Sequence, residues 1–483
     1  MSHDSEIELP PLAVGVASPG TATPGTPGPS AGMNEGDRGF FSRPPSPADH
    51  EEGRQEFSLP PVDGGKDAWL FLAACFAIEG LVWGFPFSFG VFQDYYNTHA
   101  PFAGSPSIAV IGTCSMGVMY LTAPIVIGGC RSVWSPRWTR LMPIAGLLIM
   151  CTALALSSLS TSVAHLIAVQ GVVYGIGGSI AYCPCILYMD EWFVKRKGLA
   201  YGIMWAGTGL AGVVLPLLLE SLLNGLGFRT TLRLWSGLLF ALTAPLAWFI
   251  KPRVPPSSAG HARPFSLRFL ANPTSLLYQL ANVVEATGFF LPGIYLPTYA
   301  RAALGAAPFT AATTVLAVNV ASVFGSVAMG WLIDRFHVTT CILLSTIGTT
   351  AGVFLLWGLS SSLPLLYLFC VVYGLFAGSF TSAWPGIMME LTRKGESQTS
   401  SPGAGAGAGF VDPTMVFGWL AAGRGVGNLV SGPLSAGLTR GMPWKGETAA
   451  FGYGSEYGGL IVFTGVTAFL GGASWIWRRF GLL

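Results

Sequence analysis

Three ionisable side chains, Glu79, Glu285 and Arg424, each interrupt a long apolar run of this 483-residue chain. A charged group at the centre of a bilayer costs about 2.5 to 3.5 kcal/mol on insertion scales, so such residues face a cavity or a partner. A carboxyl in a poorly hydrated site can bind a proton from one side and release it to the other as water access switches, which makes Glu79 and Glu285 candidates for proton coupling. Arg424 keeps its charge and offers a planar fork of donors that suits a carboxylate, whether of a solute or of a glutamate on another helix. Pro86 follows Glu79 by seven residues and Pro292 follows Glu285 by seven. Each proline removes a backbone hydrogen bond, and the freed carbonyl can bend the helix or line a cavity. Trp83 and Phe87 beside the first proline, and Tyr295 and Tyr299 beyond the second, are candidates to line an aromatic pocket. Contact with lipid or with the membrane interface is the competing reading of each aromatic.

The elements that must position these groups are long apolar helices. Hydrophobic residues make up 51% of the chain and charged residues 10%, too few charges to cover a soluble globule of this length. Runs of about 20 apolar residues, each long enough to cross a bilayer, recur twelve times. They fall at 68–92, 107–129, 141–159, 163–187, 199–223 and 232–250, then at 276–299, 311–333, 340–359, 363–389, 414–437 and 458–477. The expected fold is all-α membrane, with twelve transmembrane helices in two pseudo-symmetric six-helix bundles. The 64 glycines suit it, because small residues let membrane helices approach closely.

Residues 1–66 are rich in Pro, Gly, Ser and acidic groups and read as a disordered cytosolic amino-terminal tail. The tail has no basic start or apolar core of a signal peptide, so the first helix is expected to direct insertion. The six-helix bundles are expected at 67–251 and 273–483, joined by a cytosolic loop at 252–272. A second connecting segment is expected at 392–413, its GAGAGAG stretch a flexible linker. With the amino end cytosolic, the outer connections hold only Arg229, Arg233, Arg301, Arg440 and Lys445, while clusters such as Lys195 to Lys197 fall inside. That asymmetry places both termini in the cytosol. The repeated spacing from glutamate to proline in the first helix of each half points to a site between the halves at the membrane midplane.

The segment from Gly330, G-W-L-I-D-R-F-H, matches the major facilitator pattern between helices eight and nine, with Asp334 and Arg335 as its charged members. The place after helix two, IGGCRSVW, has Arg131 but no Asp. DGGKDAW at 63–69, EWFVKRKGLAYGIMWAGTGLAG at 191–212 and GRGVGNLVSGP at 423–433 resemble signatures of the monocarboxylate transporter family, particularly its fungal branch. The resemblance covers 63–480. It implies proton-linked movement of monocarboxylates or related organic solutes, and a gating role for Asp334 and Arg335 at the inward-facing side. It also favours the plasma membrane over an internal one. The chain departs from the mammalian members at Phe87, where they place a lysine, and at Ser322 and Ser326, where they place an Asp and an Arg in helix eight. Both departures remove cations that would hold a carboxylate.

The expected partners are a small organic solute, protons and membrane lipid. A net charge of +2 gives no reason to expect nucleic acid. No cofactor and no metal is expected. Cys183 and Cys185 form a C-x-C without a second Cys or His cluster, and the eight cysteines read as small packing residues. The sequence contains no Walker loop, nucleophile elbow or H-E-x-x-H, so the energy for transport must come from a gradient and an enzyme is not expected. Two alternatives stay open: metabolite efflux by proton antiport, and a nutrient sensor that keeps the fold without transporting. The Gly-Pro of drug antiporters is missing from helix five, where the chain reads GTGLAGVVLP, and occurs in helix eleven at Gly432 and Pro433. The glycines of helices five (Gly202, Gly207, Gly209, Gly212) and eleven (Gly423, Gly425, Gly427, Gly432) are expected to form packing faces across which the halves rock.

Overall fold

The computed structural model describes residues 59–105, 107–132, 136–254, 267–378, 380–399, 411–439 and 450–483. Every regular element among them is helical. Most of the expected tail, most of the interbundle loop and the GAGAGAG stretch lie outside the described residues.

The expected first helix is two elements, α1 (Lys66–Phe87) and α2 (Phe89–Thr98), interrupted at Ser88. Pro86 leaves the Val82 carbonyl without its helical donor. That carbonyl does not line a cavity: the Tyr174 hydroxyl donates to it at 3.0 Å. Next come α3 (Ile108–Ser132), α4 (Pro136–Ser157) and α5 (Val163–Leu166), then a π-helical stretch, Ile167–Val173, leading into α6 (Tyr174–Trp192). The two helices expected at 199–223 and 232–250 are one 51-residue element, α7 (Lys197–Ala247). No loop separates them, and the chain turns only at Gly227, whose φ of 72° and ψ of 165° suit a residue without Cβ.

In the second half α8 (Pro273–Leu304) starts on an Asn272 cap and ends at Gly305 in the left-handed region. Pro292 lies inside it without ending it. After α9 (Pro308–Ile333) and α10 (Val338–Ala351), a π-helical turn, Gly352–Trp357, precedes α11 (Leu363–Phe376). A 3-10 turn, Phe380–Ala383, leads into α12 (Trp384–Thr399). The connecting segment expected from 392 therefore begins later, because α12 carries on to Thr399. The chain closes with α13 (Pro413–Thr439), α14 (Gly458–Gly471) and α15 (Ala473–Arg479).

Nine of the helical stretches among the described residues are long and apolar enough to cross a membrane. Twelve were expected. One of the nine, α7, carries two expected crossings on either side of Gly227. The other two crossings correspond to α8 and α13, which are absent from the nine. These helices hold Gln279, Asn282 and Glu285, and Arg424 and Asn428, all buried, and those polar groups lower their hydropathy. Large apolar side chains on the outside, among them Ile125 (73% exposed), Phe309 (75%) and Phe324 (65%), suit a lipid solvent rather than water.

Packing follows the glycines. A Cβ on Gly207 of α7 would run into the Phe76 carbonyl of α1, and one on Gly427 of α13 would meet Ala286 of α8. The same kind of contact joins α7 to α9, where a Cβ on Gly202 would strike the Ser326 carbonyl, and α13 to α3, where one on Gly425 would lie 2.9 Å from the Tyr120 Cβ. With little hydrophobic drive between helices in lipid, dispersion across such close approaches supplies much of the association. All five described, buried cysteines pack within this interior as free thiols: Cys75, Cys183, Cys185, Cys341 and Cys370.

Candidate functional site

Helices α8 and α13 bring Glu285 and Arg424 together. Arg424 Nη1 donates to Glu285 Oε2 at 3.0 Å, with the two side chains only 2% and 7% exposed. The guanidinium also lies over the Phe289 ring, 4.1 Å from its centroid, and over Phe290 at 5.5 Å, in a cation–π arrangement. Two amides lock the register of this helix pair. Gln279 Nε2 donates to the Trp419 carbonyl at 2.7 Å and Asn282 Nδ2 to the Leu420 carbonyl at 2.8 Å.

Glu79 sits in a different environment. Thr208 Oγ1 of α7 donates to Glu79 Oε1 at 3.1 Å, and Glu79 Oε2 is buried with no hydrogen-bond partner among the described residues. Tyr120 of α3 lies between the two places: its ring packs on Trp83, one turn beyond Glu79, at 4.4 Å, and its Cβ is where a Cβ on Gly425, next to Arg424, would come within 2.9 Å. Trp83 in turn meets Tyr182 of α6 edge-on at 5.7 Å, and its indole Nε1 is another buried donor without a partner.

A layer of aromatics continues from this centre toward the end of the molecule that holds Asp334. Tyr182 meets Phe417 at 6.3 Å, Phe417 meets Trp384 at 5.4 Å and Trp205 at 6.4 Å. Helices α6, α7, α12 and α13 all contribute to it.

The other expected lining residues are not part of this centre. Phe87 is 37% exposed at the last position of α1. Tyr295 donates to Ser435 Oγ at 3.1 Å and packs on Tyr457. Tyr299 is fully buried, bonds Ser360 and meets Trp357 and Tyr457 edge-on. Tyr299 belongs to a second apolar core with Trp357 and Phe369, and Tyr295 packs against that core. The reason is helical geometry: Tyr295 and Tyr299 lie ten and fourteen residues beyond Glu285, on the order of 15 to 21 Å along the axis.

At the opposite end Asp334, just after α9, accepts from the Gly198 N–H at 2.6 Å and the Leu199 N–H at 2.9 Å. It thereby satisfies orphan donors in the first turn of α7 and complements the helix dipole. Burial pushes the Asp334 carboxyl above its ordinary range, against the pull of these two N–H groups. Arg335 does not join this contact; its guanidinium stacks on Trp331 at 4.0 Å.

Sequence reasoning missed two further contacts at this end. Arg131, at the close of α3, pairs with Asp412 at 2.9 Å, and Asp412 caps α13 by accepting from the Thr414 N–H at 2.8 Å. The acid absent after helix two is thus supplied from the other half of the chain. Asp63 accepts from the Val194, Lys195 and Arg196 N–H groups at 2.9, 3.0 and 2.9 Å. Burial works to raise its carboxyl, but these three donors hold it below the usual range. The loop before α7 is therefore held by Asp63 from one side and by Asp334 just beyond it.

Asp412 both pairs with Arg131 and caps α13, while Arg131 pairs with Asp412 and also donates to Thr414 Oγ1 at 3.4 Å. Asp412→Ala is expected to unfold at a lower temperature than Arg131→Ala, because it also removes a helix cap worth about 0.5 to 2 kcal/mol. Thermal unfolding of the two purified variants checks this, and equal losses would mean that the cap contributes nothing.

A family model described as Major Facilitator Superfamily matches residues 72–401. MFS-type transporter hasB of Aspergillus fumigatus is 27% identical over 454 residues, which cover 88% of this chain and 93% of the relative. The aspyridones efflux protein apdF of Emericella nidulans is 26% identical over 341 residues, covering 68% and 66%. Among solved structures, the human organic anion transporter MFSD10 superposes with a TM-score of 0.59 at 13% identity, over 84% of this chain and 100% of that one, a likeness of fold alone. With a helical membrane fold and a family match over most of its described length, this integral, multi-pass membrane chain belongs to the Major Facilitator Superfamily of transporters.

Proposed function

We propose that this chain is a proton-coupled secondary transporter that moves an organic metabolite across the membrane by alternating exposure of a central site between two six-helix bundles, residues 67–251 and 273–483. The observation that carries the reading is the burial of Glu79, Glu285 and Arg424 on helices from both halves that pack around Tyr120, which lies on Trp83 one turn from Glu79 and against Gly425 beside Arg424. Intramembrane ionisable groups are costly and mark substrate or proton routes.

The resemblance to monocarboxylate transporters supports an acidic solute. Arg424, however, already has a carboxylate partner, so a substrate acid must compete with Glu285. The aromatic surroundings of Trp83, Tyr120, Phe289 and Tyr182 favour a solute with a sizeable apolar or aromatic body over a two- or three-carbon acid. Export is the direction favoured by the relatives, two of which are named as efflux proteins. In this reading the Asp334 end faces the cytosol together with both termini, the plasma membrane is the location, and Asp334 with the Arg131–Asp412 pair latches that end shut.

The test is flux of a labelled panel, from short monocarboxylates to aromatic organic acids, in vesicles holding the purified full-length protein with and without an imposed proton gradient. Gradient-driven flux of the larger acids is the expected result. Flux of the same solutes that ignores the gradient would overturn the coupling, and flux confined to short monocarboxylates would overturn the substrate reading.

A further inference from the structure

The chain contains the same short element twice. Ala206-Gly207-Thr208-Gly209 lies in α7 and Ala422-Gly423-Arg424-Gly425 in α13. In each case the third residue bonds the glutamate that precedes a helix proline by seven: Thr208 bonds Glu79 and Arg424 bonds Glu285. The two copies of the element differ in that one residue, and the difference changes the chemistry of the acid it faces.

Arg424 stays ionised in a protein. Glu285 lies 3.0 Å from it in an apolar setting, so the pair is held together as carboxylate and guanidinium with no net charge. Protonating Glu285 would leave a buried cation without its partner, which is the costly outcome for a buried pair. Thr208 brings no charge. The titratable groups around Glu79 are Cys75, one turn earlier on its own helix, and Tyr120 of α3 and Tyr182 of α6, whose rings both pack on Trp83 one turn later, and none of them is a cation. Its remaining oxygen has no partner among the described residues. An isolated carboxylate in that position would bear an uncompensated desolvation cost, which a bound proton removes.

We infer that Glu79 is the proton-carrying carboxyl of the central site and that Glu285 is the fixed counter-ion of Arg424, an assignment that rests on the proton-coupled reading above. The step balances as follows. A proton from water on one side forms an O–H bond on the Glu79 carboxylate, and that bond breaks when the same group faces water on the other side. Arg424 and Glu285 keep their charges throughout unless a substrate anion displaces Glu285.

Infrared difference spectroscopy on the purified full-length protein at neutral pH tests the assignment without a known substrate. The wild-type protein should show the carbonyl stretch of a protonated carboxylic acid that is lost in Glu79→Gln. The band should persist in Glu285→Gln, and in the double variant Glu285→Gln with Arg424→Gln, which guards against misfolding caused by an unpaired arginine. A band that survives Glu79→Gln, or one that disappears with Glu285, overturns the assignment. In the vesicle assay Glu79→Gln should lose the response of flux to the proton gradient, and an undiminished response also overturns it. Wild-type flux indifferent to the gradient would instead defeat the coupled-transport reading, while the spectra would still decide which glutamate holds a proton.

Discussion

Arg424→Ala should be the most damaging single substitution in the molecule, with a loss of about 3 to 5 kcal/mol in stability and no measurable flux. The physical cause is what remains behind. Glu285, with only 7% of its side chain meeting solvent, would lose its cation and either bear the desolvation of a lone carboxylate or give up its charge by taking a proton, and Phe289 would lose the cation stacked on its face. The loss is therefore mostly the cost of the orphaned glutamate rather than the worth of the bond. It follows that removing both charges, as in Arg424→Leu with Glu285→Leu, should restore most of the unfolding temperature, since a buried pair exchanged for well-packed apolar groups is often neutral or stabilising. Flux should stay absent in the double variant. Thermal unfolding in detergent, read beside vesicle flux, separates the two effects. A double variant as unstable as the single one would mean that packing, not charge, holds α8 against α13. A double variant that transports would remove the pair from the mechanism.

The groups that carry this argument were legible in the sequence because charge is rare in apolar runs. Glu79, Glu285 and Arg424 stand out in any window of hydropathy, and a proline seven residues after each glutamate gave the repeat. The pairing of Glu285 with Arg424 was open, since two residues 139 positions apart meet only through the crossing of α8 and α13. The aromatics were less legible, because Trp and Tyr occur equally at lipid interfaces and in cores. Proximity in sequence selected Phe87, Tyr295 and Tyr299, yet three to four turns of helix carry the two tyrosines away from Glu285 into a second core. Trp205, Trp384 and Phe417 are brought together from three helices, and no local pattern marks that encounter. Helix boundaries failed where backbone geometry departed from the simple α form. Gly227 turns the chain without a loop, and the helix after Trp384 continues through a polar stretch once expected to be linker. At the Asp334 end the charge pair Arg131–Asp412 was hidden because its acid comes from the opposite half, whereas a motif search looks for both members in one loop.

The glycines between α7 and α9 lead to the other large expected effect. Gly198 and Gly330 meet backbone to backbone, so that a Cβ on Gly330 would run into the Gly198 carbonyl and lie 3.1 Å from the Gly202 Cα. Neither obstacle is the movable tip of a side chain. Asp334 can reach the Gly198 and Leu199 N–H groups only while this approach holds. A single added methyl in Gly330→Ala should therefore penalise the state in which this end is closed by about 1 to 3 kcal/mol, the usual cost of overpacking. A penalty of that size, confined to one of two states, shifts their ratio by roughly 5- to 150-fold. The open state of this end has no such contact to violate, so the protein should still fold, with an unfolding temperature near that of the wild type, while transport stalls for want of closure. Spin labels at the exposed positions Lys195 and Arg335 should report a longer distance in Gly330→Ala than in the parent. Gly237→Ala is the matched control, because a Cβ at that position meets nothing within 4 Å, and it should alter neither distance nor flux. If Gly330→Ala leaves the distance and the flux unchanged, the close approach of α7 and α9 is packing alone, and the carboxylate of Asp334 is a helix cap rather than a latch.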